Sequence, residues 1–353
     1  MQTRAKRAVA SALLAAFLFG ASTPAAKTLA GEMSAFLLAG LLYAGSGLGL
    51  ALWLALTHSR QAAAGGRTLL TRADAPWLAG AVLAGGIVGP VLLMLGLAAS
   101  EASSASLLLN LEGVFTALLA WFVFHENFDR RIALGMALIV AGGALLSVRP
   151  GLATGVSLGA LAVAGACLAW AIDNNLTRKV SAGDAASIAA IKGSIAGAVN
   201  LGIAYAAGAS WPGAGKVAAA ALIGLFGYGV SLALFVVALR ELGAARTGAY
   251  FSTAPFVGVA LSLALLGESP TAPFWAAAVL MGLGVWLHVS ERHAHAHAHE
   301  PMQHAHRHVH DEHHQHEHDF GWDGSEPHTH AHCHVRLVHS HPHHPDIHHR
   351  HPH

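Results

Sequence analysis

Charge is what this chain has least of. Only 11% of its 353 residues are Asp, Glu, Lys or Arg, against about 25% in a soluble globular domain, and that deficit excludes an ordinary water-soluble fold. Cysteine is nearly absent: Cys167 and Cys333 stand alone, so no disulfide framework is implied. Aromatic residues make up 7% and the net charge is only +1, which argues against a nucleic-acid partner. Neither a phosphate-cradling GxxxxGK[ST] loop nor an HExxH metalloprotease helix is present, so nothing points to an enzyme or an ATP-driven pump.

What the chain does contain is long apolar runs of Ala, Leu, Gly and Val, ending near Ser290. Crossing a bilayer takes roughly 20 such residues per helix. Ten segments qualify, at about 8–29, 33–56, 76–98, 102–124, 132–148, 156–177, 186–208, 217–238, 244–266 and 273–290. The expected fold is an all-α membrane protein of ten transmembrane helices followed by a polar tail. The start, "MQTRAKR" before "AVASALLAAFLFGASTPA", also has the outline of a signal peptide. Its long apolar stretch, and the unpaired set of helices that cleavage would leave, favour a retained first helix.

Basic residues set the expected orientation, because short cytoplasmic loops collect Lys and Arg. Thirteen of them (Arg4, Lys6, Arg7, Arg60, Arg67, Arg72, Arg130, Arg131, Arg178, Lys179, Arg240, Arg246 and Arg292) fall on one side. Arg149, Lys216 and Lys27 fall on the other. Both termini are therefore expected in the cytoplasm of a multi-pass plasma (inner) membrane protein.

An internal repeat organises the apolar part. A shift of 142 positions lays "ASSASLLLNLEGVFTALLAWFVFHE" (102–126) on "AARTGAYFSTAPFVGVALSLALLGE" (244–268), pairing Ala102, Leu119 and Glu126 with Ala244, Leu261 and Glu268. The same shift pairs Leu138, Gly142 and Leu145 with Leu280, Gly284 and Leu287. At a slightly different offset "FGASTPAAK" (19–27) meets "WAIDNNLTR" (170–178), each ending on a cation. Five helices is an odd number, so two such halves must run in opposite orientations, the construction of many secondary transporters.

In these stretches the chain resembles the drug/metabolite transporter superfamily, in its EamA-type ten-helix branch. The resemblance rests on "FGASTPAAK", on "SSASLLLNLEGVFTALLAWFVFHE", on the glycine-bearing helix that follows, and on the second copy ending "GE". It implies two inverted repeats, 8–148 and 152–290, and a gradient-driven carrier of a small metabolite or drug-like solute. The chain departs from the pattern at Gly113, where many repeats carry a proline, as Pro255 does here, and in its tail, 291–353.

Ionisable groups within spans are expensive and tend to mark sites. Glu112, near the middle of the fourth span, is the leading candidate for taking up a proton or a cationic group of the substrate, with Asn110 nearby. The alternative is a glutamic acid hydrogen-bonded between helices. Asp173 in "DNN" and Lys192 sit at similar depth and are expected to form a structural ion pair. Asp173, Asn174, Asn200 and Tyr205 complete the candidate substrate-binding set, although interhelical hydrogen bonding is the better-fitting role for Asn200. "GGIVGP" (85–90) is expected to loosen its helix or to pack closely.

The tail holds 24 of the 27 histidines. Neutral imidazole suits zinc, nickel, cobalt and copper. The expected ligands are His293, His295, His297, His299, His304, His306, His308, His310, His313, His314, His316, His318 and Cys333. No cofactor is required by the transport reading; a divalent metal on the tail is the one ion implied. Composition alone leaves such a segment disordered, since it cannot bury a core. Two further readings stay open: a divalent-metal carrier that uses the tail as ion donor or acceptor, and a membrane-anchored metal store or sensor. The expected partners are a small-molecule or ion substrate and the lipid bilayer, with a homodimer left open.

Overall fold

The computed structural model describes residues 2–61, 72–124, 130–148, 157–178, 180, 185–235, 237–238, 247, 250–289, 294–299, 302–308, 328–334 and 337–342. Among these residues the membrane body is built of helices joined by short connections. The spans are α1 (Gln2–Lys27), α2 (Ala35–Gln61), α3 (Ala75–Ala99), α4 (Ala102–Leu108 and Leu111–Phe124), α5 (Arg130–Ser147), α6 (Leu158–Arg178), α7 (Ala185–Ala206), α8 (Ala214–Phe235), α9 (Ala254–Leu266) and α10 (Ala272–Val289). Seven of these, α1–α5, α7 and α8, are long and apolar enough to cross a membrane by themselves. α9 is a shorter apolar helix because a break precedes it, α10 has a shorter apolar stretch (Ala272–Leu287), and α6 carries Asp173, Asn174 and Asn175 in its last turns.

Packing repeats itself across the two halves. α2 lies along α7, and α5 along α10. α1 packs on α8 and α9, while α6, its counterpart, packs on α3 and α4. The tightest evidence is a reciprocal pair of glycines 142 positions apart. A Cβ on Gly142 would stand 3.0 Å from the carbonyl oxygen of Ala277; a Cβ on Gly284 would stand 2.6 Å from that of Gly135. Gly135 and Ala277 are themselves separated by 142. Two inverted five-helix repeats account for that reciprocity. Between helices in lipid the attraction is mainly close packing, which is why small residues hold these seams.

Both repeats contribute to one tight turn, the connection between α3 and α4. Lys27, at the end of α1, donates from Nζ to the carbonyls of Leu97 (2.5 Å) and Ser100 (2.6 Å), groups that the end of a helix leaves without amide partners. Glu268, in the second repeat, accepts from the amides of Ala102 (2.7 Å) and Ser103 (2.9 Å), the first donors of α4. The cation at the end of the first helix and the glutamate of the "GE" copy thus cap opposite sides of one loop. At the same end of the bundle Lys216 pairs with Glu32 at 2.7 Å, both about half exposed. That exposed pair contributes little to stability. Glu126, the first-repeat counterpart of Glu268, lies outside the described residues.

At the opposite end α6 and α7 are tied by an ion pair. Lys192 Nζ donates to Asp173 Oδ1 at 2.5 Å and to Thr177 Oγ1 at 3.1 Å, and Thr177 Oγ1 donates to Asp173 Oδ1 at 2.8 Å. The two charged side chains are 15% and 11% exposed, so each depends on the other for neutralisation. The structural pair expected from their matched depth is present.

In the tail the described residues form short strand pairs. Strands β1 (Ala294–His299) and β4 (Leu337–Pro342) pair antiparallel, as do β2 (Met302–His308) and β3 (His328–His334). Histidine at every second position is a period-two pattern, which suits extended backbone. The register is continuous between the two ladders and sets His295 opposite His341, His297 opposite His339, His304 opposite His332, His306 opposite His330 and His308 opposite His328. Cys333 stands opposite Gln303. His293, His310, His313, His314, His316 and His318 lie outside the described residues.

The α6–α7 ion pair yields a test of packing. Lys192→Met leaves Asp173 buried without a counter-charge and is expected to cost about 3–5 kcal/mol, the usual penalty for an orphaned buried charge. Asp173→Asn combined with Lys192→Met is expected to recover most of the loss. Thermal unfolding of the purified protein in detergent reads both.

Candidate functional site

Two helix interruptions face one another at the repeat interface. In α4 the helix stops at Leu108 and restarts at Leu111. Asn110 is the cause on the sequence side: its Nδ2 donates to the carbonyl of Leu107 at 2.8 Å, so the side chain does what the next helical amide would do. In the second repeat helical residues reach Phe251, a turn occupies Ser252 and Thr253, and α9 starts at Ala254. Here Pro255 stands in the first turn of the new helix, where its missing N–H is not needed. Leu109 and Asn110 plus 142 are Phe251 and Ser252. The two breaks are therefore equivalent positions of the two repeats.

A cavity of ≈ 200 Å³ opens between them. Its walls take Leu109, Asn110, Glu112 and Gly113 from the first break and Phe251, Ser252, Ala254 and Pro255 from the second, with Phe19 of α1 closing one side. Phe19 and Phe251 lie with ring centroids 5.4 Å apart, and Phe235 and Tyr228 back them at 4.8 Å and 6.0 Å. Discontinuous helices that meet at the interface of inverted repeats are where secondary transporters place their substrates.

Glu112 is the ionisable residue of the lining, in the first turn of the second half of α4. Its Oε1 accepts a hydrogen bond from Asn174 Nδ2 of α6 at 2.8 Å. Asn174 follows Asp173 in the chain, so the cavity carboxylate and the α6–α7 ion pair are neighbours on the polar end of α6. The lysines nearest in the fold are engaged elsewhere: Lys192 on Asp173 and Lys27 on the α3–α4 turn.

Behind this site α3 departs from α-helical geometry. Residues Val82–Val88 are a π-helix, as are Leu225–Val230 of α8, about 142 positions on. Pro90 lies just beyond the first and has no N–H, so one carbonyl a turn back, that of Gly85 in π or Gly86 in α register, lacks a helical donor. Side chains from three other helices replace it: Tyr43 Oη (2.8 Å) and Trp170 Nε1 (3.0 Å) donate to Gly85, and Asn200 Nδ2 (2.9 Å) donates to Gly86. Gly85 has no room for a side chain, because a Cβ there would collide with the Asp173 carboxylate.

The candidate residues read from the sequence thus separate. Asn110 and Glu112 line the cavity, and Asn174 reaches it through Glu112. Asp173 turns away to Lys192 and Gly85. Asn200 is fully buried between α7 and α3, and its amide also bonds Ala196. It stands off the cavity as interhelical glue. Tyr205 is 76% exposed, one residue before the end of α7; it also stands off the cavity, in the place aromatic residues favour at a membrane–water interface. Phe19 and Phe251 were not among the candidates. An apolar ring in an apolar run carries no individual signal.

Comparison with known proteins agrees with this architecture. The EamA-like transporter family matches residues 6–148 and 157–290, one match per repeat. A transporter of uncharacterized function from Methanothermobacter thermautotrophicus is 29% identical over 207 residues, 57% of this chain and 60% of that protein. The chain thus spans less than two thirds of that relative's length. A probable 4-amino-4-deoxy-L-arabinose-phosphoundecaprenol flippase subunit ArnE from Pseudomonas aeruginosa is 44% identical over 113 residues, 32% of this chain and 95% of that protein. A protein crystal structure superposes with a TM-score of 0.58 at 18% identity, covering 79% of this chain and 95% of its own, a likeness of fold. Matched over both of its five-helix repeats, the chain belongs to the EamA-like transporter family.

Proposed function

We propose that the protein is a gradient-driven carrier of a small metabolite or drug-like solute, in the plasma membrane with both termini cytoplasmic, and that the cavity between the two helix breaks is its transport site. The observation that carries this reading is Glu112: the one ionisable side chain on the wall of a mostly apolar cavity, hydrogen-bonded to Asn174 among the described residues. A carboxylate there is costly unless it is protonated or neutralised by what it binds, so it links occupancy of the site to charge. The lipid-linked sugar after which the related flippase subunit is named carries an amino group, a group an acidic site suits. At ≈ 200 Å³ the cavity falls below the roughly 300–1,000 Å³ of drug-sized pockets and suits a metabolite.

The tail is proposed to bind divalent nickel, zinc, cobalt or copper and to regulate or buffer it. Its register places histidine directly opposite histidine at five positions, and directly opposed residues of an antiparallel pair share a face. A metal carrier is the second reading. A dehydrated transition metal needs several converging donors along its path, and among the described residues, those of the tail strands included, no group of three His, Cys, Asp or Glu comes together. For the spans that weighs towards a solute carrier, and the metal reading of the tail rests on its histidine content.

Two measurements test these statements. In everted vesicles reporting a pH gradient with acridine orange, a panel of amines, amino acids and sugars is expected to contain a solute whose addition dissipates the gradient. Glu112→Gln is expected to reduce that flux roughly 10-fold or more, the scale of losing one charged contact. Wild-type flux in Glu112→Gln would overturn the assignment of the site. Removal of residues 292–353 is expected to abolish binding of nickel and zinc by the purified protein and to leave solute flux through the membrane body intact. Loss of cellular nickel, zinc, cobalt or copper flux on the same truncation would instead favour the metal carrier.

A further inference from the structure

The two repeats are built alike, yet their breaks are not chemically alike. Where the first carries Glu112 and Gly113, the second carries Ala254 and Pro255, 142 positions on. All four line the cavity. The wall is therefore acidic and open on one side, neutral and filled on the other.

We infer that the cavity selects a small organic monocation, an amine with a compact apolar body, and that Gly113 determines how much bulk is accepted beside the ammonium group. The inference rests on the reading of this cavity as the transport site. Charge is the first part of the argument. Glu112 Oε1 is held by Asn174, and among the described residues no cationic side chain pairs with either carboxylate oxygen. Three of the described lysines are committed elsewhere: Lys192 to Asp173 and Thr177, Lys27 to Leu97 and Ser100, Lys216 to Glu32. A solute cation would supply the counter-charge in place of a proton, whereas a solute anion would meet a like charge.

The second part is the aromatic wall. Phe19 and Phe251 line the same space, and their positions are set from behind by Tyr228 and Phe235. Aromatic faces beside a carboxylate attract a cation and accept apolar substituents on it. Anions and strongly hydrated neutral solutes gain neither interaction.

Gly113 supplies the third part. A Cβ built there meets nothing within 4 Å, unlike those on the packed glycines of the helix seams. The residue adjoins Glu112 in the chain and shares the cavity wall with it. Its missing side chain is empty volume next to the acidic group. A small side chain at 113 would fill that volume without displacing protein, whereas the corresponding place in the second repeat is already filled by Pro255.

The test uses the full-length protein in lipid nanodiscs with four probes: benzylamine, N,N-dimethylbenzylamine, benzyl alcohol and benzoate, titrated calorimetrically. The amines are expected to bind roughly 10-fold or more tightly than the alcohol and the carboxylate, and Glu112→Gln to remove that preference. Gly113→Ala and Gly113→Val are expected to unfold at the wild-type temperature while progressively losing the dimethylated amine before benzylamine. Benzoate or benzyl alcohol binding as tightly as the amines, failure of both amines to bind, or an undiminished amine preference in Glu112→Gln overturns the cation inference. Equal affinity for both amines in folded Gly113→Val overturns the role of Gly113. Glu112-dependent flux of a neutral or anionic solute in the vesicle assay would overturn the cation inference while leaving the carrier reading standing, so the two fail separately.

Discussion

Hydrocarbon offers no hydrogen-bonding partner, so every backbone amide and carbonyl at membrane depth must be satisfied within the protein. The interior of this protein is arranged around the places where its own helices leave such groups unpaired. Pro90 removes a donor from α3, and Tyr43, Trp170 and Asn200 converge from α2, α6 and α7 on the carbonyls of Gly85 and Gly86, a turn back. Asn110 interrupts α4 and bonds the carbonyl of Leu107. Lys27 and Glu268 serve the two sides of the α3–α4 turn. Each irregularity is bound to side chains from neighbouring helices, and these same bonds hold the bundle in register.

Because the chain is an inverted repeat, the irregularities come in pairs. The π-helical segments of α3 and α8 and the breaks of α4 and α9 recur about 142 residues apart. Opposed breaks cannot close fully against one another, and the cavity is what remains. Symmetry thus locates the site, and departure from symmetry equips it: Glu112 and Gly113 have no counterpart in Ala254 and Pro255. The glycine seams between α5 and α10 hold the repeats close enough for the two breaks to meet.

Polar groups within the membrane divide according to what satisfies them. Asp173 and Lys192 neutralise each other, and Asn200 is used on Gly86 and Ala196. Those groups serve packing. Glu112 is bonded through one oxygen to Asn174 and faces the cavity. A sequence-level rule that treats every intramembrane polar residue as a site cannot draw this line, because the deciding fact is the partner, and the partner comes from another helix.

Hydropathy by itself determined the ten spans, and the 142-residue shift determined the two inverted halves, because a bilayer demands long apolar runs and an odd-numbered repeat can only return inverted. Glu112 was also legible, since a lone carboxylate in an apolar run is conspicuous. Only the tertiary structure decided the rest. Tyr205 looked like a polar group in a span and proves to be exposed at the end of α7; Phe19 and Phe251, indistinguishable from other core rings along the chain, form the cavity wall. In the tail, the period-two pattern suits extended backbone, but which described segments pair depends on a register between stretches some 20 to 50 residues apart. What the chain encodes locally is which residues are apolar and where the helix must yield. Which of the freed groups are satisfied by neighbours, and which is left to face the cavity, depends on helices that meet only after folding.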